Sequence, residues 1–306
     1  MKFNNPLMLV AIAKADAFGS AAEYLTLPRD MSVRDECLTF HGYIKHPTHG
    51  ICAGTYTDDT EMSIANARVL IEYNSPYTPL MFADAYVTEF NRGGRRNGYA
   101  RNFQKFLEGI NSGEEFLRLI KPYSMRNGAA MRSVPLGVLR SIDDVFAVAE
   151  LQASITHRTR EGIFSSRAVA LMSHFTLYCT EPMNLLGAYC LEYLGSEDVS
   201  AYGHMFQSRW PEDLRVHEEP YGCTALTTVH AVFDLLTHQN SLMNMLRQAI
   251  LWGGDVDSVA AITWGIASAR YSHEVLPVFM ERDLEEGNPV TGVCYLTNIG
   301  TRLMNK

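Results

Sequence analysis

Two acidic clusters stand out by residue type and spacing, Thr57-Asp58-Asp59-Thr60 and Gly253-Gly254-Asp255-Val256-Asp257-Ser258, each just ahead of a stretch with helical periodicity. Each supplies two carboxylates and a neighbouring hydroxyl, with no Cys or His in the cluster. Hard divalent cations such as Mg²⁺ and Mn²⁺ prefer this oxygen-only donor set. Read singly, each cluster is a helix start: Asp58 with Glu61 three residues later has the form of a capping box, and Asp or Ser can cap the run from Val259 to Ala269. Read together they exceed that need, because one side chain is enough to cap a helix. Packed side by side, Thr57, Asp58, Asp59, Asp255, Asp257 and Ser258 would make a set large enough for two cations sharing a carboxylate. Such cations lie ~3.5–4 Å apart and orient a water or a hydroxyl between them. Two Mg²⁺ are expected, with Mn²⁺ as the alternative, and the Gly253-Gly254 pair lets backbone come close to a ligand.

The elements that must position these clusters are helical. Apolar residues recur at three and four spacing over Met8–Tyr24, Glu61–Tyr73, Phe103–Ile110, Ile142–Ile155, Ser166–Cys179, Thr224–Thr237 and Ser241–Leu251. Strand-like alternation is scarce. Gly and Pro fall between these segments, so Asn91–Gly98, Ser124–Gly137, Trp210–Gly222 and Trp252–Gly254 are the expected loops. The expected fold is all-α with functional loops, spanning 1–306 as one domain.

Composition narrows the class of function. The 306 residues are 47% hydrophobic, enough for a large core, and carry a net charge of −8, which argues against a general nucleic-acid coat. The one concentrated basic patch, Arg92-Gly93-Gly94-Arg95-Arg96 followed by Tyr99 and Arg101, reads as a solvated loop first and a phosphate or nucleic-acid contact second. Six cysteines show no CxxC spacing and sit mostly in apolar runs, which points to buried thiols and a reducing, cytoplasmic setting. Lys2 and the apolar stretch Pro6–Ala13 have the outline of a signal peptide, but Lys14 and Asp16 interrupt it. No apolar run reaches the roughly 20 residues that a membrane span requires. Trp210, Tyr221 and Trp252 are candidates for stacking on a base, with packing the first reading for each.

With these residues in view, the chain resembles the ADP-ribosylglycohydrolase family. Its two acidic clusters are similar to that family's TDDT and GGDTDT motifs. Asp16-Ala17-Phe18-Gly19 with Glu23 resembles GDAxGxxxE, and Ser124 with Asn127-Gly128-Ala129-Ala130-Met131-Arg132 resembles SxGNGxxMR. Thr156-His157 resembles the TH motif. The resemblance covers about residues 11–270 and implies an all-α orthogonal multi-helix bundle with a dinuclear metal site in a cleft. Differences are Val256 and Ser258 where the family has Thr, Ala11 and Ala15 where Gly is common, Arg126 where Gly is usual, and Arg160 in place of Pro.

The resemblance implies that Thr57, Asp58, Asp59, Asp255, Asp257 and Ser258 ligate two metals. It places Glu23 over the site, puts Ser124, Asn127, Gly128 and Met131 along the diphosphate, and turns His157 to the ribose or adjoining phosphate. The implied reaction is hydrolysis of the bond from ribose C1″ to an acceptor on a mono-ADP-ribosylated protein, arginine first, releasing ADP-ribose. Glu23 and Asp59 are the candidate proton-handling groups, since an oxocarbenium-like transition state needs both an assisted leaving group and an activated water. The alternatives are serine, nucleic-acid or small-molecule conjugates as substrate, a metal-dependent nucleotide phosphohydrolase, and a non-catalytic ADP-ribose-binding or immunity protein.

Overall fold

The computed structural model describes residues 3–211, 215 and 221–306. Over these residues the chain forms sixteen α-helices and five short 3₁₀ turns. Strand-type pairing among the described residues is limited to one bridge between Tyr123 and His157. Part of the expected Trp210–Gly222 loop, and Lys2, lie outside the described residues.

Every segment with a 3.6-residue period is a helix, with shifted ends. Ser166–Cys179 begins earlier, at Arg160, because the Thr159 side chain caps the helix by accepting from Gly162 N–H. The Met8 helix stops at Gly19 and passes through a 3₁₀ turn, Ser20–Ala22, to Tyr24 at φ 46°. Two expected loops need correction. Ser124–Gly137 contains a short helix, Gly128–Met131, and a 3₁₀ turn, Val134–Val138. The Pro79–Arg92 helix, capped by Thr78, runs into the expected loop at Asn91. In the first case Gly128 and Pro135 sit in the opening turns of short helical segments where isolated punctuation suggests a break, and in the second the helix runs on through Arg92 to end at Gly93.

Two helices, Met8–Gly19 and Val256–Ala267, are buried along their whole length and pack on each other at the centre. Their small residues set the distance. A Cβ on Gly19 would lie 2.7 Å from Asp257 Cα, and one on Gly265 would lie 2.6 Å from Ile12 Cγ1. This contact holds Asp16 and the start of the Val256 helix in one place. The Asp58–Glu72 helix packs against the same central helix and brings its own N-terminus to that point. The stretch that resembled a signal peptide is thus part of the central core helix. No helix among the described residues is long and apolar enough to cross a membrane.

The cysteines divide more evenly than expected. Cys37, Cys190 and Cys223 are buried, Cys179 is half-buried, and Cys52 and Cys294 are exposed. Trp210 and Trp252 are buried with ring centroids 5.6 Å apart, and the Tyr221 hydroxyl bonds His230 Nδ1 at 2.6 Å. All three serve packing.

Candidate functional site

The fold brings the two acidic clusters together. Carboxylate oxygens of Asp16, Asp59 and Asp257 lie within 4.8 Å of one another, and so do those of Glu23, Asp255 and Asp257. Asp257 belongs to both groups, so the arrangement is two adjacent three-carboxylate pockets sharing one side chain. Asp58 belongs to neither and lines the adjoining cleft.

None of the four cluster aspartates caps its own helix by a side-chain hydrogen bond across the first turn. Thr57 is the N-cap of the Asp58 helix, yet its side chain makes no cap bond. Asp16 does the capping from the central helix: Oδ2 accepts from Thr57 N–H at 2.9 Å, Thr60 N–H at 3.1 Å and Thr60 Oγ1 at 2.5 Å, and Oδ1 accepts from Thr57 Oγ1 at 2.8 Å. Glu61, the expected partner in a capping box, instead accepts from Arg96 Nε and Tyr99 Oη, both at 2.8 Å. Asp255, the N-cap of the Val256 helix, also makes no cap bond. Its Oδ2 accepts from Tyr24 Oη at 3.1 Å and Asn127 Nδ2 at 3.0 Å. Asp257 Oδ1 accepts only from the next residue, Ser258 N–H, at 3.0 Å. Asp58 and Asp59 are thereby left to the cleft, and Asp59 Oδ1 is a buried oxygen with no partner.

Burial and mutual repulsion set the electrostatics. Asp58, Asp59 and Asp257 are pushed well above the ordinary carboxylate range, first by desolvation and then by neighbouring carboxylates. Desolvation lifts Asp16 to about 6, against the pull of its hydrogen bonds from Thr57 and Thr60. Among the described residues no ion pair involves Asp16, Asp58, Asp59, Asp255 or Asp257. Clustered buried anions without a counter-charge are unfavourable. An unpartnered Asp59 oxygen, an oxygen-only donor set and excess negative charge together fit hard divalent cations.

Glu23 hangs at the edge of this cluster, its carboxyl also raised, mainly by desolvation. Its Oε2 lies 3.2 Å from His49 Nδ1. The His49 ring stacks at 3.7 Å on His46, which accepts from the N–H groups of Thr48 and His49 at Nδ1 and reaches Glu23 O from Nε2. This two-histidine bracket holds Glu23 by both backbone and carboxylate. Replacing His49 with Ala is expected to lower turnover about tenfold by freeing that carboxylate, with His49→Gln retaining most activity; steady-state kinetics on both variants check it.

The cleft beside the acids has a volume of about 690 Å³, and Ser124, Asn127, Gly128, Met131, His157 and Ser258 all line it. Thr57 is buried behind them, its hydroxyl turned to Asp16 and, at 3.4 Å, to Asp59. Asn127 joins the glycine loop to the acids by donating to Asp255. Gly128 has a steric reason: a Cβ there would sit 2.9 Å from His157 Cε1. Burial, with help from Arg132, lowers His157 to about 3, so the ring is neutral.

The basic loop is internal stapling. Arg92 pairs with Glu89 at 2.6 Å, Arg95 bonds Asn91 at 3.0 Å, and Arg96 pairs with Glu61 and Glu285 while stacking 4.0 Å over the Tyr56 ring. Arg101, by contrast, lines the cleft with Lys121 and Arg126, and all three are exposed. Arg160, the first residue of its helix, sends its guanidinium to Glu197 O at 2.9 Å. That position favours Pro in helices generally, so the substitution leaves the helix start in place.

Comparison with known proteins decides the family, since the ADP-ribosylglycohydrolase family model matches residues 8–305. The chain belongs to the ADP-ribosylglycohydrolase family. It is 26% identical over 283 residues to an uncharacterized protein of Archaeoglobus fulgidus, covering 88% of this chain and 87% of the relative. It is 23% identical to ADP-ribosylhydrolase ARH3 of Xenopus tropicalis, covering 73% of this chain and 75% of that one. It is also 23% identical to ADP-ribosylarginine hydrolase Tri1 of Serratia proteamaculans, covering 88% and 72%. A solved structure titled ADP-ribosylglycohydrolase-related protein complex shares the fold at TM-score 0.72 and 21% identity, over 98% of this chain and 96% of that one. Relatives in the family are ADP-ribosyl hydrolases, which makes hydrolysis of an ADP-ribosyl bond the reaction class of this fold.

Residue types and spacing flagged the acids, and the family resemblance flagged Glu23, the glycine loop and His157. They did not flag Tyr24 or His49, or the role of Asp16 as the remote cap. The available signals were weak, namely Asp16 inside an otherwise apolar helix and the His46-Pro47-Thr48-His49 loop.

Proposed function

We propose that the protein is a divalent-metal-dependent hydrolase that removes mono-ADP-ribose from a modified protein, with arginine as the acceptor, and releases ADP-ribose. The observation that carries this is the pair of carboxylate triads sharing Asp257 at the inner end of the cleft. Thr57, Asp58, Asp59, Asp255, Asp257 and Ser258 would hold two Mg²⁺ or Mn²⁺, with Asp16 fixing the first helix start behind them. Bound there, the cations would supply Lewis acidity to the ribose hydroxyls and lower the proton affinity of a water.

The remaining roles belong to this chain's own groups. Glu23, whose raised proton affinity suits a general acid, delivers a proton to the leaving nitrogen of the acceptor. Asp59 Oδ1, with no hydrogen-bond donor, takes the proton of the attacking water. Ser124, Asn127, Gly128 and Met131 line the path of the diphosphate. A guanidinium acceptor also suits the setting, since Asp58 and Asp255 place negative charge beside the cleft. The Serratia relative is named for ADP-ribosylarginine. Cysteines without CxxC spacing and mostly withdrawn from solvent fit a reducing compartment, so we place the enzyme in the cytoplasm.

The cleft carries the acids together with Arg101, Lys121 and Arg126 among apolar side chains such as Phe103 and Ile120, which suits a ligand with sugar hydroxyls near the acids and phosphates beyond. Arg126→Ala is expected to weaken ADP-ribose binding about fivefold at low salt, with a smaller effect at high salt, as read by calorimetry at two ionic strengths. The linkage is tested by product analysis on arginine-linked and serine-linked ADP-ribosyl proteins. Intact ADP-ribose from the arginine substrate supports the assignment, release from serine alone moves the acceptor, and AMP as product would replace the reading with phosphohydrolysis.

A further inference from the structure

Behind the cleft, Arg132 is almost fully buried, and its hydrogen bonds go inward to three acceptors. Nε donates to Gln152 Oε1 at 2.5 Å, while Nη2 donates to Gln152 O at 3.1 Å and to Thr156 Oγ1 at 2.8 Å. Thr156 Oγ1 in turn lies 2.6 Å from His157 Nδ1.

The direction of these bonds follows from what each group can do. A guanidinium only donates, so Thr156 Oγ1 accepts from Arg132. The Thr156 hydroxyl then has one hydrogen to place. Among the described residues Nδ1 is the acceptor within reach, and leaving a buried hydroxyl hydrogen unmade is costly. Nδ1 therefore accepts, and the imidazole proton sits on Nε2.

The ring cannot easily turn away. His157 N–H donates to Ala153 O at 2.7 Å, and a Cβ on Gly162 would lie 2.7 Å from His157 Cβ. On the cleft side Nε2 passes over Gly128, where a Cβ would come within 3.1 Å.

We propose that Arg132 and Thr156 are positioning residues that fix His157 in the Nε2–H tautomer, making it a permanent hydrogen-bond donor to an oxygen of the bound ADP-ribose. The assignment of the ligand rests on the function proposed above; the assignment of the tautomer does not. A locked donor of this kind binds and orients. It does not exchange protons with the substrate, because its second nitrogen is already occupied and the adjacent guanidinium opposes a second positive charge.

Long-range ¹H–¹⁵N spectra of the imidazole in the full-length protein test the tautomer without ligand. The expected result is a protonated Nε2 and an unprotonated Nδ1, unchanged from about pH 5.5 to 8. Thr156→Val should remove the lock, mix the tautomers and raise the ADP-ribose Kd about tenfold, with the loss falling on KM more than on kcat. Thr156→Ser, which keeps the hydroxyl, should restore both readouts, separating the relay from a packing defect. A proton on Nδ1 in the wild type overturns the proposal, and so does a Thr156→Val variant that mixes the tautomers but binds ADP-ribose as tightly as the wild type. If the wild type binds no ADP-ribose, the functional reading falls and the spectrum alone decides the tautomer.

Discussion

Replacing Asp257 with Asn is expected to lower metal-dependent turnover by about a thousandfold or more, roughly 4 kcal/mol of transition-state stabilisation, while making the metal-free protein more stable than the wild type. Both effects have one cause. Asp257 is the carboxylate common to the two triads, so on the proposed function its charge would serve both cation positions at once. Without cations that same charge is buried among Glu23, Asp255, Asp59 and Asp16, each of which raises its proton affinity further. Asn keeps an oxygen to accept from Ser258 N–H, preserving the local turn while removing the repulsion. Turnover assays with thermal unfolding in EDTA read the two effects. A variant that is both inactive and less stable in EDTA would mean that Asp257 supports the fold and not the metals.

The metal-free protein is expected to lose stability as pH rises through the range from about 4 to 6 and beyond, and Mg²⁺ is expected to restore it. Asp16 is held at about 6 when folded against an ordinary 3.8, so between those values the folded state binds more protons than the unfolded chain. Stability then falls with increasing pH, and the full cost, roughly 3 kcal/mol for this group, is present above about 6. Asp58, Asp59 and Asp257 are raised well above the ordinary range as well and carry the trend toward neutrality and above. Asp30, whose carboxyl is lowered by its pairing with Arg29, works in the opposite direction. A bound cation removes the penalty, so at a fixed Mg²⁺ concentration the Mg²⁺-induced rise in Tm should be larger at neutral pH than near pH 5, the stabilisation reaching about 3 kcal/mol where Mg²⁺ is in hundredfold excess over Kd. Unfolding curves at several pH values, with Mg²⁺ and with EDTA, check this. A Tm that rises with pH in EDTA, or is indifferent to Mg²⁺, contradicts it.

The parts of the site legible in the sequence were those that violate a local rule. Asp58-Asp59 and Asp255-Val256-Asp257 supply more charge than a helix start uses, and the structure shows that none of these side chains makes the expected cap bond. The all-α fold was legible because long segments such as Thr224–His238 keep a 3.6-residue apolar period. The central pair of helices was legible only as apolar runs, because burial on every side erases the polar face that would show their orientation. Asp16 reads as an anomaly in an apolar helix; its capping of a helix 41 residues away depends on the packing of the Met8–Gly19 helix against the Asp58–Glu72 helix. The Arg92–Arg96 loop misled for the same reason, since Glu285 and Tyr56, which hold Arg96, are distant in sequence. His49 became a partner of Glu23 only once the His46 ring was beneath it.

The measurement that tests the central claim most directly is release of ADP-ribose from a mono-ADP-ribosyl-arginine protein as a function of added Mg²⁺, compared with EDTA. The site described here predicts intact ADP-ribose as the product, release that rises with Mg²⁺ and is lost in EDTA, and near-absence of both in the Asp257→Asn protein. Undiminished release in EDTA, or equal release by the Asp257→Asn protein, would contradict a catalytic centre built on the shared Asp257 carboxylate.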